Sequence, residues 1–185
     1  MRDNFLRSLQ NEARKNKEIM LLTADLGFGA LDNFKKELPS QYINIGIAEQ
    51  NMTSIAAGLA KEGFKVFTYS IANFNTLRCL EQIRNDICYP CLDVTIISTG
   101  GGFSYGQLGM SHFAIEDLSI IRSLPNMNIY APACKEQAGK LPNEIATSSN
   151  PKYVRLDKGS EYNKENYNKN FSDGISIVRK GEYIT

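Results

Sequence analysis

The segment at residues 46–52, GIAEQNM, holds the clearest candidate for acid chemistry in this chain. Glu49 lies where a strand-like run (residues 42–45) gives way, through a short turn, to a predicted helix rich in Ala and Gly. Neighbours such as Ile47 and Ala48 would shield the carboxyl group from water, which favours its neutral form. One acid held in this way can bind a flat, nitrogen-bearing ligand. The alternative is a structural role, in which the helix dipole stabilises the carboxylate by about 0.3–1 kcal/mol.

The elements that must position this acid alternate between strand and helix along the chain. Strand, crossover helix and strand, repeated in this way, predict an α/β fold of three layers. We expect a doubly wound, mostly parallel sheet with helices on both faces. The predicted strands are residues 18–23, 42–45, 65–69, 93–98, 128–131 and 153–156, and the predicted helices are residues 4–16, 31–38, 49–61, 73–87, 115–123 and 135–147.

Four loops follow predicted strands and carry unusual residue types. In open parallel sheets, ligands collect beyond the carboxyl ends of the strands, so these loops should meet at one edge. Their distribution over separate strands is more informative than any single motif. The loops are residues 25–29 with Asp25, the Glu49 segment, residues 70–74 with Phe74, and residues 100–112 with a triple glycine and the only histidine, His112.

The triple glycine at residues 100–102 has two interpretations. Glycine amides approach anions closely, so the run could cradle a phosphate. It lacks the Lys-Ser/Thr pair and the GxGxxG context of nucleotide sites. The simpler interpretation is a flexible active-site loop whose residues adopt positive φ.

The pair Cys88 and Cys91 has the CxxC spacing of redox and metal sites. Here it follows the predicted end of a helix, where the dipole has the wrong sign to stabilise a thiolate. A structural zinc site needs two further ligands, and Cys79 and Cys134 are isolated. We therefore expect buried or partly buried free thiols.

Composition excludes several classes of protein. The chain has 185 residues, 42% of them hydrophobic and 22% charged, which suits a globular domain with a real core. A net charge of +1 with scattered Lys and Arg argues against nucleic-acid binding. The sequence contains no apolar run of about 20 residues for a membrane span, and its beginning lacks a signal peptide's apolar centre. The expected location is cytoplasmic.

Residues 1–157 make up the predicted α/β domain. Residues 158–173 are polar and rich in Asn and Lys, which is typical of an exposed linker. Residues 174–185 then alternate apolar and polar residues around a Lys-Gly pair, which indicates the first hairpin of a further module. We expect the chain to stop just inside that module.

GIAEQNM resembles the cofactor-activating segment in the pyrimidine-binding domain of transketolase-type, thiamine-diphosphate-dependent enzymes. SHFAIEDL at residues 111–118 and RSLPNM at residues 122–127 also resemble that family. The resemblance covers residues 1–157 and implies the family's α/β thiamine-diphosphate-binding fold. It implies that Glu49 hydrogen-bonds N1′ of the aminopyrimidine, so that the cofactor's 4′-nitrogen removes the thiazolium C2 proton and the cofactor itself performs the carbon chemistry.

The resemblance also assigns roles to the other candidates. Phe74 would stack on the pyrimidine, although a core aromatic is the simpler interpretation. Arg78 would contact the cofactor, but it follows Phe74 by four residues where relatives have an Arg or Tyr after three. Asp25 would face the thiazolium charge or else serve as a helix cap or turn residue. His112 would contact substrate oxygens and transfer protons, or it is an ordinary loop residue.

What the sequence lacks bears on the architecture. Related enzymes hold the diphosphate and Mg²⁺ on a second domain with a Gly-Asp-Gly motif, and this sequence contains none. The resemblance therefore implies half of a site, completed by a diphosphate-binding subunit or domain in a homo- or hetero-oligomer. Alone, the chain should neither catalyse a reaction nor bind the cofactor.

The substrate has several candidates. Sugar-cleaving transketolases carry an Asp four residues before the histidine, and this sequence has Leu108 there. The favoured expectation is ketol transfer between sugar phosphates. The alternatives are a pyruvate-decarboxylating activity like that of 1-deoxyxylulose-5-phosphate synthase, a 2-oxo-acid dehydrogenase subunit, and a silent interaction subunit that kept the fold.

Overall fold

A computed structural model describes residues 1–157 of the chain. The predicted linker at residues 158–173 and the predicted hairpin at residues 174–185 lie outside the described residues. Six strands form one sheet in the order β2-β1-β3-β4-β6-β5, and each pairing is parallel. The strands are β1 Ile19–Thr23, β2 Tyr42–Asn44, β3 Lys65–Ile71, β4 Val94–Thr99, β5 Asn128–Tyr130 and β6 Lys152–Leu156.

Helices cover both faces of the sheet, so the predicted three-layer α/β fold is confirmed. The helices are α1 Arg2–Lys15, α2 Asp32–Glu37, α3 Glu49–Lys61, α4 Leu80–Gln82, α5 Asp117–Arg122 and α6 Lys135–Ile145. Adjacent strand residues point to opposite cores: Leu21 packs with the layer of α1, α2 and α6, whereas Leu22 packs with the layer of α3 and α5. Because both faces of the sheet are buried, the strand sequences are nearly continuous apolar runs.

The prediction of a single long helix at residues 73–87 is wrong. The chain leaves β3 through a turn, forms a 3₁₀ turn at Leu77–Cys79, continues through α4 and ends in a π-helix at Ile83–Cys88. Thr76 has φ −127° and ψ −81°, outside the helical region. The buried Asn75 donates from Nδ2 to the carbonyl of Ile97 at 2.9 Å, which ties the turn to β4. A tertiary hydrogen bond to β4 therefore holds the chain in a turn where the first part of the helix was predicted.

The predicted helix at residues 115–123 also begins later, at Asp117. Within residues 1–157, no helix is both long enough and apolar enough to cross a membrane.

Candidate functional site

The four loops identified from the sequence lie at one edge of the sheet, because β1 to β4 are all parallel. Three of these loops, together with the 3₁₀ turn at Leu77–Cys79, bring four of the predicted site residues into contact. The contacts run in a row through Glu49, Arg78, Phe74 and His112.

Glu49 is the first residue of α3, and its side chain is only 4% exposed. Burial of this acid was predicted, but its surroundings differ from the apolar ones expected. Ile47 is 80% exposed, and Oε2 of Glu49 accepts a hydrogen bond from Nη1 of Arg78 at 2.9 Å. The hydroxyl of Thr53 donates to the Glu49 carbonyl at 2.9 Å and fixes the first turn of the helix.

Arg78 and His112 lie against the same aromatic ring. The guanidinium carbon of Arg78 is 4.1 Å from the centre of the Phe74 ring, a cation–π distance. The imidazole of His112 has its centre 4.9 Å from that of Phe74, with the planes at 60°. Phe74 is only half-buried, so it is not the core aromatic of the simpler interpretation.

The loop that carries His112 is held at both ends. Gly102 and Ala114 form an antiparallel bridge, with N···O distances of 2.7 and 3.0 Å. Near the imidazole, Nδ2 of Asn73 donates to the Ser111 carbonyl. The Ser111 hydroxyl lies 3.0 Å from Nδ1 of His112. These contacts tie the imidazole to the residue that precedes Phe74.

Asp25 lies outside this row. It adopts φ 55° in the turn after β1, and the residue that caps α2 is Leu31, so Asp25 has the turn role rather than the capping role. Its side chain and backbone contact Asn44, which also contacts Gly46 in the turn before Glu49.

The glycine run does not offer a free phosphate cradle. Each of its amides is used within the chain, because the acceptors are the Leu156 carbonyl for Gly100, Oδ1 of Asp157 for Gly101 and the Ala114 carbonyl for Gly102. The first and third glycines adopt positive φ, which the interpretation as a loop of glycines allows.

A buried polar cluster beneath this loop was missed by the sequence analysis. A Cβ on Gly101 would fall 1.7 Å from Nε of Arg155, so a larger residue there would displace the guanidinium. Arg155 lies 3.5 Å from the buried carboxylate of Asp117, which accepts a 2.6 Å bond from the Tyr153 hydroxyl. Burial beside Asp117 raises the pKa of Tyr153 well above its usual value. The only sequence signal for this cluster was the unexplained glycine run.

An open cleft of about 420 Å³ adjoins the buried acid, lined by Ile47, Ala48, Glu49, Gln50, Asn51 and Arg78. Large apolar side chains stand exposed on the loops that follow β1 to β4: Phe28, Ile47, Phe103, Leu108, Met110 and Ile115.

The cysteines are free thiols, as predicted. Cys79, Cys88 and Cys134 are buried, whereas Cys91 is exposed rather than even partly buried. Burial raises the pKa of Cys79 and of Cys88 to about 11.

Comparison with known proteins agrees with this geometry. The family model of the transketolase pyrimidine binding domain matches residues 1–163. An apulose-4-phosphate transketolase subunit of Phocaeicola vulgatus is 39% identical over 160 residues, which are 86% of this chain and 51% of that protein. A putative transketolase C-terminal section of Methanocaldococcus jannaschii is 39% identical over 84% of this chain and 50% of its own length.

A solved structure described as a split gene transketolase, inactive beta4 tetramer, superposes with a TM-score of 0.78 and 37% identity, covering 88% of this chain and 52% of that one. The chain thus spans about half the length of these relatives. The matched family, the parallel sheet and the buried acid at the start of α3 lead to one conclusion. The chain belongs to the transketolase pyrimidine-binding domain family.

Proposed function

We propose that this chain is the pyrimidine-binding half of a thiamine-diphosphate-dependent, transketolase-like enzyme that transfers ketol units between sugar phosphates. One observation carries the proposal. The buried carboxylate of Glu49 borders an open cleft, and contacts through Arg78 link it to the ring of Phe74 and the imidazole of His112. A few polar groups that converge on a cleft are the usual mark of a ligand-binding site.

The residues present fit an aminopyrimidine. Such a ring needs a hydrogen-bonding partner for its ring nitrogen and a flat surface for its face, and Glu49 and Phe74 have these properties. Thiamine diphosphate, when bound, supplies the carbon nucleophile. In this proposal Glu49 binds the ring nitrogen, while Phe74 and Arg78 orient the ring. Asp25, in the turn after β1, faces the positive charge of the thiazolium. His112 contacts substrate oxygens and moves a proton there.

The other half of the site would come from a partner that carries the Gly-Asp-Gly motif and holds the diphosphate and Mg²⁺. Two observations support a partner. The sequence has no such motif. Exposed apolar side chains also stand at the cleft, where Ile47 lines it, and on other loops at the same edge of the sheet, where Phe28 and Met110 lie. Apolar surface of this kind is typical of an interface. Relatives that are named as transketolase subunits or sections agree with a paired assembly.

Reconstitution tests the proposal. The chain is mixed with a Gly-Asp-Gly-bearing partner, thiamine diphosphate and Mg²⁺, and two reactions are assayed: ketol transfer between sugar phosphates and decarboxylation of pyruvate. We expect ketol transfer. Decarboxylation alone would favour an enzyme like 1-deoxyxylulose-5-phosphate synthase, and partner binding without either reaction would favour a silent subunit.

Glu49→Gln should lower the activity about 100-fold or more, the usual scale for an essential acid. Exchange of the cofactor's C2 proton, followed by NMR, should slow in parallel. Glu62→Gln at the exposed C-terminal end of the same helix is the matched control and should leave both rates unchanged. Full activity of the Glu49→Gln assembly would refute the proposed function.

A further inference from the structure

Asn44, the last residue of β2, joins two loops of the candidate site through one carboxamide. Its Oδ1 accepts hydrogen bonds from the backbone amides of Asp25 at 2.9 Å and Gly46 at 3.0 Å. Its Nδ2 donates to Oδ1 of Asp25 at 3.3 Å. Because two N–H groups face the same oxygen, the network defines the orientation of the carboxamide.

Both residues that Asn44 holds adopt left-handed backbone conformations, with φ 55° at Asp25 and φ 78° at Gly46. A residue other than glycine rarely adopts such a conformation unless its surroundings hold it. The turn is also held from the other side, where the Thr23 hydroxyl donates to the Leu26 carbonyl at 2.9 Å. The direction of the Asp25 side chain therefore depends on the hydrogen bonds by which Asn44 and Thr23 hold this turn.

Gly46 is linked to Glu49 by a short and ordered segment. The Ala48 amide donates to the Gly46 carbonyl at 2.8 Å, and the Met52 amide donates to the Ala48 carbonyl at 2.8 Å as α3 begins. A displacement of Gly46 would therefore move the start of the helix, and the buried carboxylate with it.

We propose that Asn44 is a positioning residue that sets the spacing between Asp25 and Glu49 for cofactor binding. It acts through these two carboxylates and does not itself take part in the chemistry. The proposal rests on the proposed cofactor role of the site, and it adds a determinant of affinity that lies on the edge strand of the sheet.

Two variants separate the functions of the carboxamide. Asn44→Ala removes all three hydrogen bonds. Asn44→Asp keeps an acceptor for both backbone amides but places a second carboxylate against Asp25. The matched control is Asn128→Ala, at the first residue of β5 on the opposite edge of the sheet.

The first measurement is amide hydrogen exchange in the full chain without cofactor. For Asn44→Ala we expect the amides of Asp25 and Gly46 to exchange about 10-fold faster or more, the scale of one lost hydrogen bond. Asn44→Asp should retain protection at Gly46. Unchanged protection of both amides in Asn44→Ala would overturn the proposal.

The second measurement uses the chain assembled with its diphosphate-binding partner. Asn44→Ala should raise the KM for thiamine diphosphate about 10-fold while kcat falls by a smaller factor, because the carboxylates remain but are misplaced. Asn44→Asp should give an intermediate KM, and Asn128→Ala should match the unsubstituted chain.

The outcomes distinguish this proposal from the proposed function. Activity that needs Glu49 together with a KM unaffected by Asn44→Ala overturns only the role of Asn44. Activity that survives Glu49→Gln overturns the cofactor role of the whole site, including the part assigned to Asn44.

Discussion

Arg78 donates a 2.9 Å hydrogen bond to Glu49 while its guanidinium lies over the Phe74 ring. The partners are unequally placed, since the Glu49 side chain is 4% exposed and that of Arg78 is 43% exposed. A buried carboxylate is therefore held by a guanidinium cation that solvent still reaches. The first prediction follows from this difference in exposure.

Arg78→Ala should destabilise the fold, because it leaves a buried carboxylate without its donor. The loss should lie at the lower end of about 1–3 kcal/mol, since water can partly replace the exposed guanidinium. Urea unfolding of both single variants and the double variant with Glu49→Gln gives the coupling energy. A double variant whose loss equals the sum of the two single losses would contradict the pairing.

The contact between His112 and Phe74 is directly visible by NMR, because the chain has a single histidine. The ring current of Phe74, with its centre 4.9 Å away, should displace the imidazole proton resonances. Phe74→Leu should move them toward the values of an exposed histidine. Phe28→Leu changes an aromatic that is 79% exposed on another loop, and it should leave them in place. Identical spectra for all three proteins would rule out the contact.

Thiol reagents should discriminate sharply among the cysteines. At pH 8 the exposed Cys91 should be alkylated first, whereas Cys79 and Cys88 are buried and their pKa values are raised to about 11. Cys134 is also buried and should react only on unfolding. Mass spectrometry of tryptic peptides, with and without urea, measures the order. Protection of Cys91 under reducing-agent-free conditions would instead indicate a disulfide with Cys88.

Tyr153→Phe should cost about 1–3 kcal/mol at neutral pH, because buried Asp117 loses its 2.6 Å hydrogen bond. The variant should also change the alkaline limb of the stability profile. Desolvation raises the pKa of Tyr153 in the folded chain, so above pH 10 the unfolded state ionises first and folding stability falls as pH rises.

Without the Tyr153 hydroxyl this fall should be shallower, though not absent, since burial raises the pKa of Tyr69 as well. Denaturant unfolding between pH 7 and pH 11 measures both effects. Tyr89→Phe, at a residue 84% exposed, is the control and should follow the unsubstituted curve.

Much of this fold could be predicted from residue patterns. The apolar positions of the first helix, Phe5, Leu6, Leu9 and Ala13, are all buried, as their spacing indicates. The order of the strands could not be predicted in the same way. Strand β6 inserts between β4 and β5, with Val154 beside both Ile97 and Tyr130. That pairing joins residues distant along the chain, and local periodicity carries no information about it.

In the candidate site, too, local patterns predicted some features, whereas contacts between distant residues could not be predicted. The position of Glu49 at the start of a helix followed from the strand, turn and helix pattern around it. Its partner Arg78 lies 29 residues away, on a segment that the pattern wrongly assigned to one regular helix. The spacing of the apolar residues Leu80, Ile83 and Ile87 is typical of a helix. It contains no information about the hydrogen bond from the buried side chain of Asn75 to β4. Such a tertiary contact becomes visible only in three dimensions.

Every contact in the row from Glu49 to His112 is made within one polypeptide. The conformational entropy needed to order these side chains is therefore lost when the domain folds, not when another molecule arrives. The candidate site is therefore preorganised, and a ligand or partner that binds there would not have to order these side chains again.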